Sequence, residues 1–206
     1  MSNSQKVPKI FSSVQQSETI SIYLSGAIGM PEEYIEELQA LREATENDTI
    51  NIYINSGGGS VATALQIVNN IISCKATVVG CIEAECHSAA SYIFLACDTW
   101  IVNPNSLMMI HNYSGGHFGK GNDLVQGVQE THKWILSIMR DIYIPFLSEN
   151  ELLSVETKDM YLTSEEISNR LETLMEHRLF EEDLMREEQI NKVKEQFEGL
   201  MGAENQ

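Results

Sequence analysis

Residues 49–71 read TINIYINSGGGSVATALQIVNNI. Ile50, Ile52 and Ile54 recur at every second position, the pattern of a strand. Val61, Leu65, Ile67, Val68 and Ile71 follow helical spacing. Between them Asn55-Ser56-Gly57-Gly58-Gly59-Ser60 reads as a loop. Strand, glycine turn and helix make one βα unit, and the flanking sequence repeats it. Upstream, ETISIYL (18–24) predicts a strand. It is followed by a helix with Pro31 at its first position, Glu32 and Glu33 at its positive end, and Tyr34, Ile35, Leu38 and Leu41 on one face. Downstream, ATVVGCI (76–82) predicts a third strand and SAASYIFLAC a short apolar helix. TWIV (99–102) and SLMMIH (106–111) predict two short strands. The alternation indicates an α/β fold with a largely parallel sheet.

A longer helix is expected at about 122–144, carrying Leu124, Val128, Trp134, Ile135 and Ile138, with Pro145 disturbing its end. Thr163-Ser164-Glu165-Glu166 has the form of a capping box. From His177 onward Ile190, Val193, Phe197, Leu200 and Met201 lie at helical spacing among charged residues, so the tail reads as an amphipathic helix seeking a partner. The expected organisation is an N-terminal segment at 1–17, one domain at 18–176 and a charged helix at 177–206.

The 206 residues include 30 acidic and 13 basic side chains, a formal charge of −17. Phosphate contacts need clustered Lys and Arg, so no nucleic-acid or anionic-membrane partner is expected. No stretch approaches the ~18 apolar residues of a membrane span. The start, MSNSQKVPKIFSSV, lacks the apolar region of a secretory leader, which predicts a cytoplasmic protein. Cys74, Cys81, Cys86 and Cys97 form no CxxC pair and read as reduced, mostly buried thiols, with no metal site expected.

Four features are candidates for chemistry. The glycine stretch at 57–59 reads as a plain turn, an oxyanion hole or a phosphate loop, although neither GxGxxG nor a GK[ST] ending is present. Ser88, where an apolar strand gives way to a helix, suits either a helix N-cap or an exposed nucleophile. Cys86, His87 and Ser91 are its local rivals. His111, ending a strand before a glycine turn, suits a general base or a structural histidine. Asp159 precedes the capped helix, either as a working carboxylate or as an exposed turn residue.

Taken together, these segments resemble the proteolytic subunit of the Clp family of self-compartmentalising serine peptidases, over about residues 18–176. INSGGGSV is similar to the family's INSPGGSV oxyanion segment, and ECHSAASYIFLAC to the segment holding the nucleophile. NPNSLMMIHNYSGG and ETKDMYLTSEEI are similar to the segments holding the histidine and the aspartate. The order Ser88, His111, Asp159 agrees with the family, as do the spacings of 23 and 48 residues. Ser88 is preferred to Ser91, since the downstream segments then align with a shorter deletion. Gly57 replaces a usual proline, Glu85-Cys86-His87 a smaller, uncharged run, Asn112-Tyr113 a Gln-Pro and Lys158 an arginine.

The resemblance implies a fold of stacked ββα units, shared with crotonase-like enzymes, from which the 122–144 helix protrudes as a handle. It implies a Ser88–His111–Asp159 triad with the amides of Gly59 and Ala89 as oxyanion donors. It further implies two heptameric rings forming a homo-oligomeric tetradecamer that hydrolyses unfolded polypeptides. No cofactor is implied, because ATP would bind a partner AAA+ unfoldase. The competing expectations are a non-catalytic structural or regulatory subunit, a maturation protease working without an ATPase, and an acyl-CoA enzyme of the crotonase fold.

Overall fold

Three long strands lie side by side in parallel at the centre of the computed structural model, each reaching further than its apolar run. The structure describes residues 17–203 except His117, with side chains described through Lys194. The 1–17 segment therefore lies outside the described residues apart from Ser17. Strand β1 spans Thr19–Ile28, β2 Thr49–Gly59 and β3 Thr77–His87. Ile50, Ile52 and Ile54 on β2 are fully buried. At about 1.5–3 kcal/mol for each buried branched side chain, this row alone fixes the register, because a one-residue slip would turn it to solvent.

The remaining elements are α1 (Ile35–Glu43), α2 (Val61–Ser73), α3 (Ala89–Ala96), β4 (Thr99–Val102), β5 (Leu107–Ile110), α4 (Gly121–Tyr143), α5 (Glu149–Val155), β6 (Met160–Thr163) and α6 (Ser164–Ala203). They complete a mixed α/β fold around one sheet of order β1-β2-β3-β5-β6, with β4 also paired to β3. Strand β3 has two partners on one edge. Val79–Ile82 pairs with β4, and Glu85–His87 pairs with β5, both in parallel. Among the described strands only β6 runs antiparallel, against β5.

Several expectations change in detail. The glycines read as a loop are the end of β2, where Ala27 pairs with Gly58 and Ile28 with Gly59 after a register shift. Likewise Glu83–His87 continues β3 instead of leaving the sheet, because β5 supplies its ladder. Pro31 opens a 3₁₀ turn, Pro31–Tyr34, that leads into α1. Helix α4 stops at Tyr143, just before a cis Ile144–Pro145 bond. The capping box forms as expected: the Glu166 carboxylate accepts from Thr163 N at 2.8 Å, and Thr163 Oγ1 accepts from Glu166 N at 3.4 Å. The helix it opens, α6, runs unbroken through His177 to Ala203.

Helix α3 is the element that positions the site. Ala89, Ala90, Tyr92, Ile93, Phe94 and Leu95 are all buried, as is Ser91. A helix apolar on every side belongs inside. Its far end is held by Arg178 on α6, whose guanidinium donates to Leu95 O at 2.5 Å and Cys97 O at 2.7 Å and lies 4.8 Å from the Trp100 ring centre. The residue at the start of α3 is thus mounted on a rigid base.

Candidate active site

Three serines stand at helix N-termini, and two of them behave as caps. Ser60 has φ −61° and ψ 112°, and its hydroxyl accepts from Thr63 N at 3.3 Å. Ser148 has φ −74° and ψ 159° and accepts from Glu151 N at 3.3 Å. These are the extended conformation and bonding of ordinary N-caps. Ser88 departs on both counts, with φ 54°, ψ −125° and no side-chain cap bond. A non-glycine residue held there costs on the order of 1–3 kcal/mol, and it persists only where surrounding bonds impose it.

Those bonds are identifiable. Ser88 N donates to Met109 O at 2.7 Å, tying the turn to β5. Ser88 O accepts from Ser91 N at 2.9 Å and from Ser91 Oγ at 2.6 Å. Ser91 Oγ also lies 2.7 Å from the Tyr143 hydroxyl, so the start of α3 is clamped to the end of α4. Burial pushes the Tyr143 phenol well above its usual range, so it stays a neutral hydrogen-bonding group.

On the opposite side, Gly58 closes against the turn. A Cβ at this position would fall 2.6 Å from His87 O, 2.7 Å from Ser88 Cβ and 3.1 Å from Ala89 N. Its φ of +88° is also left-handed, so the site excludes a side chain here both by space and by backbone conformation. Gly58 itself is anchored by donating to Ser56 Oγ at 3.1 Å, while the buried Ser56 hydroxyl donates to Gly26 O.

The strained turn aims the Ser88 hydroxyl at His111, with Oγ 2.7 Å from Nε2. His111 follows the last residue of β5 and is half-buried. That contact is the geometry a hydroxyl and a general base require. Asp159 stands one residue before β6. Continuing the register in which Ile110 pairs with Met160 places it opposite His111. Its side chain is exposed, and among the described residues no hydrogen bond joins it to His111. The structure thus brings Ser88 and His111 into contact and leaves the Asp159 carboxylate in solvent.

The local rivals are placed as follows. Ser91 is fully buried and committed to the clamp. Cys86 is fully buried, and burial pushes its thiol well above the usual range, which suppresses the thiolate. His87 packs edge-on to Tyr161 with ring centres 6.5 Å apart, and its buried Nε2 has no partner among the described residues. Glu85 is exposed. Gly58 and the Ser91–Tyr143 clamp had not been singled out from the sequence. The clamp joins residues 52 positions apart, and three adjacent glycines give no local sign of which one meets the serine.

A cleft of about 370 Å³ is lined by Gly59–Ala62, Tyr113–Gly116 and Val128, Thr131, Trp134 and Ile135 of α4; Gly59 follows Gly58, and Tyr113 lies two residues after His111. Its mixed walls of backbone and apolar side chains suit an extended peptide with a side chain turned inward. Among the described residues, no group of three or more His, Cys, Asp or Glu could hold a metal ion, and no helix is long and apolar enough to cross a membrane.

A mixed α/β sheet carrying a serine on a strained strand-to-helix turn, with a histidine in contact with it, is an arrangement that nucleophilic catalysis by serine can use. The family model for Clp protease matches residues 2–169 of the sequence. The chain belongs to the Clp protease family, a family of peptidases acting on protein substrates.

Proposed function

We propose that this chain is an active serine endopeptidase subunit in which Ser88 is the nucleophile, His111 the general base and Asp159 the group that orients and stabilises the imidazolium. The observation that carries this reading is the 2.7 Å contact between Ser88 Oγ and His111 Nε2, made from a backbone conformation that an N-cap serine does not adopt. Ser88 Oγ attacks the peptide carbonyl as His111 takes its proton. The amides of Gly59 and Ala89 receive the oxyanion, each such donor being worth roughly 10²–10³ in rate. His111 then protonates the leaving amine, and an acyl ester remains on Ser88. Water, deprotonated by His111, releases the acid and regenerates the serine.

Asp159 completes the triad when its carboxylate turns from solvent to His111 Nδ1. Substrates are unfolded polypeptides, cleaved in a homo-oligomeric chamber of two heptameric rings in the cytoplasm. The chain uses no cofactor of its own, and ATP enters only through an AAA+ unfoldase that delivers the substrate.

The test is intact-mass analysis after reaction with a serine-directed fluorophosphonate, followed by peptide mapping. A single adduct on Ser88, absent from His111→Ala, is expected. The second reading, a non-catalytic subunit, is favoured by the unbonded Asp159 carboxylate. It predicts no adduct in folded, fully assembled protein.

A further inference from the structure

Helix α6 outruns the body it packs on. Its last anchor to the fold is Arg178, and every residue from Leu179 to Lys194 is exposed. From Leu179 to Ala203 the helix extends about 37 Å at 1.5 Å per residue. Most of the stability of helices in proteins comes from packing an apolar stripe against a partner. The stripe is present. At 100° per residue, Leu179, Arg186, Ile190 and Val193 fall within about 60° of one another, with Asp183 beside them, so the Arg186–Asp183 ion pair interrupts the line and its apolar part lies at Ile190 and Val193, which are 48% and 57% exposed.

Charge selects the occupant. One flank of the stripe carries Glu187 and Lys194, and the other carries Glu182 and Gln189. In an antiparallel pair of identical helices, like flanks meet, so Glu187 faces Lys194 of the second copy and the reverse contact forms by symmetry. In a parallel pair, opposite flanks meet, and Glu187 would face Glu182 across the seam. Within one chain Glu187 and Lys194 are about 10 Å apart along the helix, too far to satisfy each other.

We infer that the overhanging part of α6 pairs antiparallel with the same segment of a second copy of this chain, stacking Ile190 on Val193 and flanking them with two Glu187–Lys194 ion pairs. A two-fold pair of this kind is a self-complementary contact. It lies beyond residue 169, where the family match ends, and it holds whether or not Ser88 is reactive.

The experiment uses full-length chains carrying Cys74→Ser, since Cys74 is the one native thiol not buried among the described residues. Chains with Ile190→Cys and chains with Val193→Cys, differently tagged, are co-expressed and mildly oxidised. The heterotypic disulfide is expected to dominate. Dominance of the homotypic Ile190→Cys product would mean a parallel pair and overturns the inference, as does crosslinking no greater than in the parent chain. Glu187→Lys is then expected to reduce the heterotypic product several-fold, and adding Lys194→Glu to restore it. Failure of the second substitution to restore the product also overturns the proposed pairing.

Discussion

Replacing Gly58 by alanine should injure the proposed nucleophile, Ser88, without touching any ionisable group. The added Cβ would stand 2.7 Å from Ser88 Cβ, against roughly 3.4 Å for ordinary contact, so about 0.7 Å must be found. The other near neighbour, His87 O at 2.6 Å, is backbone and cannot swing away. The left-handed φ adds about 1–2 kcal/mol for a residue with a side chain, and relief of the overlap about 1–3 kcal/mol. The sum, about 2–5 kcal/mol, lowers the thermal midpoint of a chain this size by roughly 4–20 °C. A reacting atom misplaced by about 1 Å loses on the order of 10² in rate, so a shift approaching that should slow acylation of Ser88 by ~10–100-fold. The same methyl would also crowd Ala89 N at 3.1 Å, the amide proposed as an oxyanion donor. The assay pairs the second-order rate of fluorophosphonate labelling with a thermal melt. Gly57→Ala is the control, since nothing lies within 4 Å of its Cβ position and its φ is not left-handed. Wild-type labelling by Gly58→Ala would refute the argument, as would a Gly57→Ala defect of equal size.

Three further outcomes are expected. Ser91→Ala should destabilise the chain by about 1–3 kcal/mol, because it strips a partner from buried Tyr143, yet peptide mapping should still place the adduct on Ser88. Arg178→Ala should cost about 2–4 kcal/mol in urea unfolding through two abandoned carbonyls and a lost Trp100 contact. Arg178→Lys should recover only part of that, lacking the planar fork. Glu151, bonded to Arg170 at 2.6 Å, has its carboxyl lowered to about 2. A depressed carboxylate stabilises the fold above its unfolded value near 4.5, and that contribution is lost as pH falls toward 2. A melt series over that window should slope less in Glu151→Gln than in the parent chain.

The βα repeat was legible because Ile50, Ile52 and Ile54 meet a strict period of two and the α2 residues a period near 3.6, both local properties. The strand ends were not. Gly57–Gly59 have the composition of a loop, and Glu83 and Glu85 look like surface residues. Both stretches are strand only because β1 and β5 lie alongside to accept their ladders. Strand β6 was missed for the same reason, since MYLT acquires a partner only when β5 is in place. Asp159 could be named from its segment, but where its carboxylate points depends on side-chain torsions that no sequence pattern encodes.

Ser88 shows how far local reading reaches. The stretches around Ser60, Ser88 and Ser148 each place a serine ahead of a helix, and capping rules treat them alike. What separates Ser88 is a set of distant partners: Met109 O holding its amide, Gly58 closing behind its Cβ, Ser91 and Tyr143 fixing its carbonyl, and His111 receiving its hydroxyl. These converge from β2, β5, α3 and α4, so the left-handed turn exists only in the assembled fold. Its strain is offset by three hydrogen bonds to Ser88 backbone atoms, leaving the hydroxyl free of any capping duty. A serine at a helix start becomes a candidate nucleophile when the surrounding fold, and not its neighbours in sequence, denies it the conformation of a cap.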